Sequence, residues 1–142
     1  MASAVLFEGA IYAAMNRHLG VMRDLREHNI HCTSDGADRA AQTGRLDVLR
    51  ELRAHGIHCT FSGANWTAIL GHVEIVRDLR AHDIHCTEAG ANYAAVNGHL
   101  AVVRDLREHG VHCTIEAVKW AALRGQLEAT DDLRTHGMFS TA

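Results

Sequence analysis

The dipeptide His-Cys occurs at residues 31–32, 58–59, 85–86 and 112–113, always 27 residues apart and each time inside an Ile/Val-His-Cys-Thr tetrapeptide. Aligning on it divides the chain without gaps into five units, 7–33, 34–60, 61–87, 88–114 and 115–141. Several columns are identical in all five: an alanine (Ala14, Ala41, Ala68, Ala95, Ala122), a Leu-Arg pair (Leu25-Arg26 to Leu133-Arg134), a histidine (His28, His55, His82, His109, His136) and a threonine (Thr33, Thr60, Thr87, Thr114, Thr141). A fixed period of this length marks an array of supersecondary units, none of which can bury its apolar face alone.

Within a unit the threonine is placed to N-cap the first helix of the next. That helix runs through segments such as Ala91 to Asn97 and ends at a glycine (Gly44, Gly71, Gly98, Gly125). A second helix follows, with apolar residues at 100, 103 and 106 on a 3.6-residue period and 102 alongside. Gly56, Gly110 and Gly137 close it, and Asn29 and Asp83, which tolerate left-handed backbone, stand in the same column.

The stretch Ala94-Ala95-Val96-Asn97-Gly98-His99-Leu100 through Glu108-His109-Gly110 resembles the central part of an ankyrin repeat, and the other units match it more loosely. The resemblance covers about two-thirds of each unit and implies stacked helix pairs serving as a protein-binding scaffold. There are departures. An ankyrin repeat has about 33 residues, and the missing ones are those of its projecting β-hairpin. Its Thr-Pro-Leu-His signature is replaced by Gly-Ala-x-aromatic, as in Gly90-Ala91-Asn92-Tyr93. The expected fold is therefore all-α: one domain, 1–142, forming a solenoid of five stacked helix-turn-helix repeats without hairpin tips.

Composition narrows the functional classes. Acidic and basic residues alternate along the chain and the net charge is only −3, which argues against nucleic acid or an anionic membrane as partner. No apolar run approaches the ~20 residues needed to cross a bilayer, and the first residues do not read as a signal peptide. Four cysteines in such a chain point to the cytoplasm, as reduced thiols or metal ligands.

His18, His72 and His99 read as polar turn residues. The other nine histidines form the pattern His-x-x-His-Cys. The plain reading is a helix-end histidine and a small buried cysteine. The sharper one is a structural Zn²⁺ at each junction, about four per chain, since thiolate and imidazole suit closed four-coordinate zinc. The last unit keeps His136 but has Phe139-Ser140 in place of the doublet. Sites spanning junctions would explain this: His31/Cys32/His55, His58/Cys59/His82, His85/Cys86/His109 and His112/Cys113/His136, with His28 left over. Glu51, Asp78, Asp105 and Asp132 stand four residues before the helix-end histidines, on the same helix face, as possible fourth ligands, as orienters of the imidazole, or as partners of arginine.

The invariant arginines read as a ladder to carboxylates of the neighbouring unit. The aromatic column (Tyr12, Trp66, Tyr93, Trp120, broken by Arg39) reads as packing between first helices, with a contact surface as the alternative. The two residues before each inter-helix glycine differ in every unit: Met15-Asn16, Gln42-Thr43, Ile69-Leu70, Val96-Asn97 and Leu123-Arg124. In ankyrin repeats these positions often touch partners, so they are the candidate protein-binding face. The expected function is non-catalytic: a monomeric, zinc-stabilised scaffold for a protein partner. Zinc buffering is the main alternative and zinc-dependent hydrolysis a remote one.

Overall fold

A computed structural model of the chain describes residues 4–136 and 139–140. Among them lie ten helices: α1 (Ala4–Met15), α2 (Leu19–Glu27), α3 (Ser34–Gln42), α4 (Leu46–Ala54), α5 (Phe61–Ile69), α6 (Val73–Ala81), α7 (Glu88–Val96), α8 (Leu100–Glu108), α9 (Ile115–Leu123) and α10 (Leu127–His136). The fold is all-α, two helices to each 27-residue unit. Strand geometry among the described residues is confined to a two-residue parallel ladder in which β1 (Cys113–Thr114) pairs with β2 (Phe139–Ser140). No helix among them is long and apolar enough to cross a membrane.

Contacts group the chain into two compact units, Met1–Gly63 and Ala64–Ala142, and the division falls inside α5. In the first, α1 packs on α2 and on α3, and α3 on α4. In the second, α7 packs on α8 and on α9, α9 on α10, and α6 on α8. Neighbouring repeats thus meet first helix to first helix and second to second.

Residue size sets this packing. The first helices bury alanines at i, i+3 and i+4: Ala10, Ala13 and Ala14; Ala37, Ala40 and Ala41; Ala91, Ala94 and Ala95. Such small side chains let helix backbones approach closely. The second helices supply the bulk, burying Val48, Leu49 and Leu52, or Val102, Val103 and Leu106, as one apolar stripe.

Both turns in each repeat end a helix in the same way. After the first helix, Gly44, Gly71, Gly98 and Gly125 adopt φ of +76 to +84°, and Arg17 takes φ +64° at the same place in the first unit. The next residue returns its N–H to the carbonyl five residues back, as in His99 N to Ala94 O at 2.8 Å. At Gly71 side-chain space is also limiting, because a Cβ there would lie 2.6 Å from Nδ1 of His99. Thus His99 covers the preceding turn. After the second helix, Gly56 and Gly110, with Asn29 and Asp83, take φ of +60 to +85° as expected. Gly137, the fifth member of that column, lies outside the described residues.

Candidate functional site

The recurring tetrapeptide is where the repeats are joined, and each of its residues has its own environment. Its aliphatic residue completes the turn that ends the second helix. Ile30, Ile57, Ile84 and Val111 donate their N–H to the carbonyls of Leu25, Leu52, Leu79 and Leu106 at 2.9–3.0 Å. This satisfies a carbonyl that the helix end leaves open and brings the aliphatic residue to its leucine.

The cysteine turns inward. Cys32, Cys59, Cys86 and Cys113 are all free and buried. Their thiols donate to backbone carbonyls of the first helix of the same unit: Ala10 (3.8 Å), Ala37 (3.3 Å), Ala64 (3.2 Å) and Ala91 (3.4 Å). Burial pushes the Cys32 thiol up, Cys86 to about 11 and Cys113 to about 12. These are protonated thiols acting as small hydrogen-bonding core residues.

The threonine begins the next helix. Thr33, Thr87 and Thr114 have the extended backbone of an N-cap, yet their side chains make no capping bond. At Thr60, Oγ1 accepts from Gly63 N at 3.4 Å. The firmer hold comes from the first helix of the same unit. Asp38 accepts from Thr60 N (2.8 Å) and from Thr60 Oγ1 (2.7 Å). Asn65 does the same for Thr87, accepting from its N–H at 2.8 Å and donating to its Oγ1 at 2.9 Å, and Asn92 Oδ1 accepts from Thr114 N at 2.8 Å. Sequence reasoning missed this Asp38/Asn65/Asn92 column. Its signal was a short polar side chain, able to pair with both backbone and hydroxyl, beside the aromatic column in the three middle units.

The helix-end histidines cap their own helices. His28, His55, His82, His109 and His136 each direct Nδ1 to the carbonyl four residues back, that of Asp24, Glu51, Asp78, Asp105 or Asp132, at 2.8–2.9 Å. Nδ1 carries the proton in that bond. His28, left over in the zinc scheme, does the same as the others. The doublet histidines are less engaged. His31, His58 and His85 are exposed, and His112 is half-buried with its Nδ1 enclosed and unpaired among the described residues.

The carboxylates before these histidines turn to arginine. Glu51 accepts from Arg23 (3.1 Å) and Arg26 (3.4 Å). Asp105 accepts from Arg77 (2.8 Å) and twice from Arg80 (2.6 and 3.3 Å), and Asp132 from Arg104 (3.0 Å) and Arg107 (2.7 Å). Burial alone would raise Asp105 and Asp132, but the arginine hydrogen bonds outweigh it and both carboxyls lie below their usual range. The arginine ladder inferred from sequence is present within each compact unit, with two arginines on each of these carboxylates. Asp78 is half-buried in α6.

These placements bear on the zinc scheme. Among the described residues no group of three or more His, Cys, Asp or Glu side chains is placed to hold a metal ion. Glu51, Asp105 and Asp132 are engaged by arginine, and the helix-end imidazoles direct Nδ1 to backbone carbonyls, which leaves Nε2 outward. The sets His31/Cys32/His55, His85/Cys86/His109 and His112/Cys113/His136 are not brought together. The zinc scheme thus has no assembled donor set among the described residues.

A different feature is concave and open. Between α7 and α9 lies a groove of about 630 Å³, lined chiefly by Tyr93, Val96, Trp120, Leu123 and Arg124. Tyr93 and Trp120 are each 57% exposed, and Tyr12 and Trp66 are exposed as well. The aromatic column is thus a surface feature, not the packing between first helices expected from sequence. Small alanines already fill that space.

The variable pairs divide. Val96, Leu123 and Arg124 line the groove, and Leu70 is exposed. Met15, Gln42 and Ile69 are half-buried. Asn16, Thr43 and Asn97 instead serve the turns: Asn16 Nδ2 donates to Tyr12 O (2.9 Å), Thr43 Oγ1 to Arg39 O (2.9 Å), and Asn97 Nδ2 to Ile69 O (3.1 Å). No protein-family model matches the sequence, and no curated protein matches it either.

Proposed function

We propose that the chain is a non-catalytic, ankyrin-like scaffold, its five repeats stacked as a solenoid, that binds another protein on its first-helix face. The groove between α7 and α9 carries this reading. Two half-exposed aromatics, two aliphatic side chains and an arginine line a concavity on a frame of buried alanines. Aromatic and arginine side chains are the types that dominate protein interfaces, and a rigid frame limits the entropy lost on binding. Residues 96, 123 and 124 belong to the column that changes from unit to unit, as partner-specific positions would. Zinc buffering and zinc-dependent hydrolysis have no assembled donor set in their support among the described residues.

The test is a comparative pull-down from extract of the native cells. Wild-type protein and a control altered at the exposed Glu108 are compared with a Tyr93→Ala, Trp120→Ala double variant. A protein held by the first two and lost by the third is expected. The same proteins bound by all three would contradict the assignment.

A further inference from the structure

The groove between α7 and α9 has a direction as well as a volume. It runs along the two helices, from Ala89 and Glu116 in their first turns to Val96, Leu123 and Arg124 at their ends. The rise of about 1.5 Å per residue from Glu116 to Arg124 makes it about 12 Å long. Tyr93 and Trp120 line it midway along their helices.

Charge is unbalanced along it. Lys119 donates to Glu116 at 3.2 Å, so the first-turn end carries a neutral pair. Arg124, at the C-cap of α9, is exposed and has no carboxylate among the described residues. The last-turn carbonyls of Ala94, Ala95, Ala121 and Ala122 do not offset it, because turn N–H groups already bond them at 2.8–3.0 Å. An apolar trough with one uncompensated cation at its end is not part of the repeat's frame. The same columns of α1 and α3 hold Tyr12, Met15, Arg39, Gln42 and Thr43, which put polar residues where Trp120 and Leu123 stand.

We propose, on the reading of the groove as the partner site, that its occupant is an extended segment of another protein with two apolar side chains and a carboxylate at positions i, i+2 and i+4. The apolar pair lies along Tyr93 and Trp120, and the Asp or Glu meets Arg124. Alternate residues of an extended chain share a face, and four steps of about 3.3 Å match the length of the groove. The guanidinium then pairs its N–H donors with both oxygens of the carboxylate.

Fluorescence anisotropy tests this, with the full chain titrated at low salt into dye-labelled, end-blocked peptides carrying Leu-Thr-Phe-Thr-Glu or its Lys-ended twin. Wild type should bind the Glu peptide about fivefold more tightly than the twin, and the gap should narrow as salt is added. Arg124→Glu should invert the preference. The Tyr93→Ala, Trp120→Ala double variant should bind both peptides about tenfold more weakly. All three side chains are exposed, so folding is not at stake. Equal binding of the two peptides, weakened by the double change, would overturn the acidic segment and leave the groove as the partner site. Binding indifferent to the double change would overturn both. A signal that falls as protein concentration rises would put a second copy in the groove instead. No binding of either peptide would overturn the acidic segment, and the partner site with it if the pull-down also finds no protein lost with the aromatics.

Discussion

The arginine ladder makes a quantitative claim about Asp105. Its side chain is 4% exposed, and it accepts from Arg80, itself 19% exposed, at 2.6 and 3.3 Å and from Arg77 at 2.8 Å. Replacing it by Asn keeps the shape, but removes the charge and one acceptor, leaving a half-buried guanidinium facing an amide. Breaking a fully buried pair costs about 3–5 kcal/mol. Arg80 retains some solvent, and Arg77, 56% exposed, adds little. The expected loss is about 2–3 kcal/mol, or a melting point lower by roughly 10 °C for a chain of this size.

Urea unfolding followed by far-ultraviolet circular dichroism measures it. The arginines hold the Asp105 carboxyl below its usual range. The stabilisation is therefore complete above the unfolded-state value of about 4 and disappears as pH falls through the folded one. The gap between wild type and Asp105→Asn should accordingly be full at neutral pH and close in acid. A variant within about 0.5 kcal/mol of wild type at neutral pH, the ordinary range for surface changes, would refute the reasoning. So would a gap that persists in acid.

The junction loops yield two more expectations. Because burial raises the thiols of Cys86 and Cys113 to about 11 and 12, iodoacetamide at mildly alkaline pH should label them only as fast as the protein opens; rapid stoichiometric labelling of folded protein would contradict that environment. Asn92→Ala removes the acceptor for Thr114 N and should cost about 1 kcal/mol in a urea melt, and no change would mean that the cap holds without it.

Much of the fold was legible because it is written in local pattern. Glycine, Asn29 and Asp83 marked left-handed turns, and the second-helix stripe marked the core. The arginine ladder could be read from its invariance. The site was harder because its contacts join residues 22 apart through side chains whose direction a period does not reveal. Cys59 meets Ala37 and Thr60 meets Asp38, and neither pair stands out in the alignment. Asp105 could have served either His109, one helical turn away, or arginines 25 and 28 residues earlier. Spacing alone does not rank these. A charge-assisted pair with two guanidinium groups wins, and His109 turns to the backbone. The aromatics were misplaced because the alanines had already filled the space between first helices.

Our central proposal is that the backbone, thiol and capping contacts of the Ile/Val-His-Cys-Thr loop suffice to join the repeats without a shared metal ion. Metal analysis of the purified protein, with thermal melts before and after chelation, tests it most directly. The account predicts no stoichiometric zinc and an unchanged melt. About one zinc per His-Cys doublet, with collapse of the helical signal on chelation as in metal-dependent modules, would contradict it.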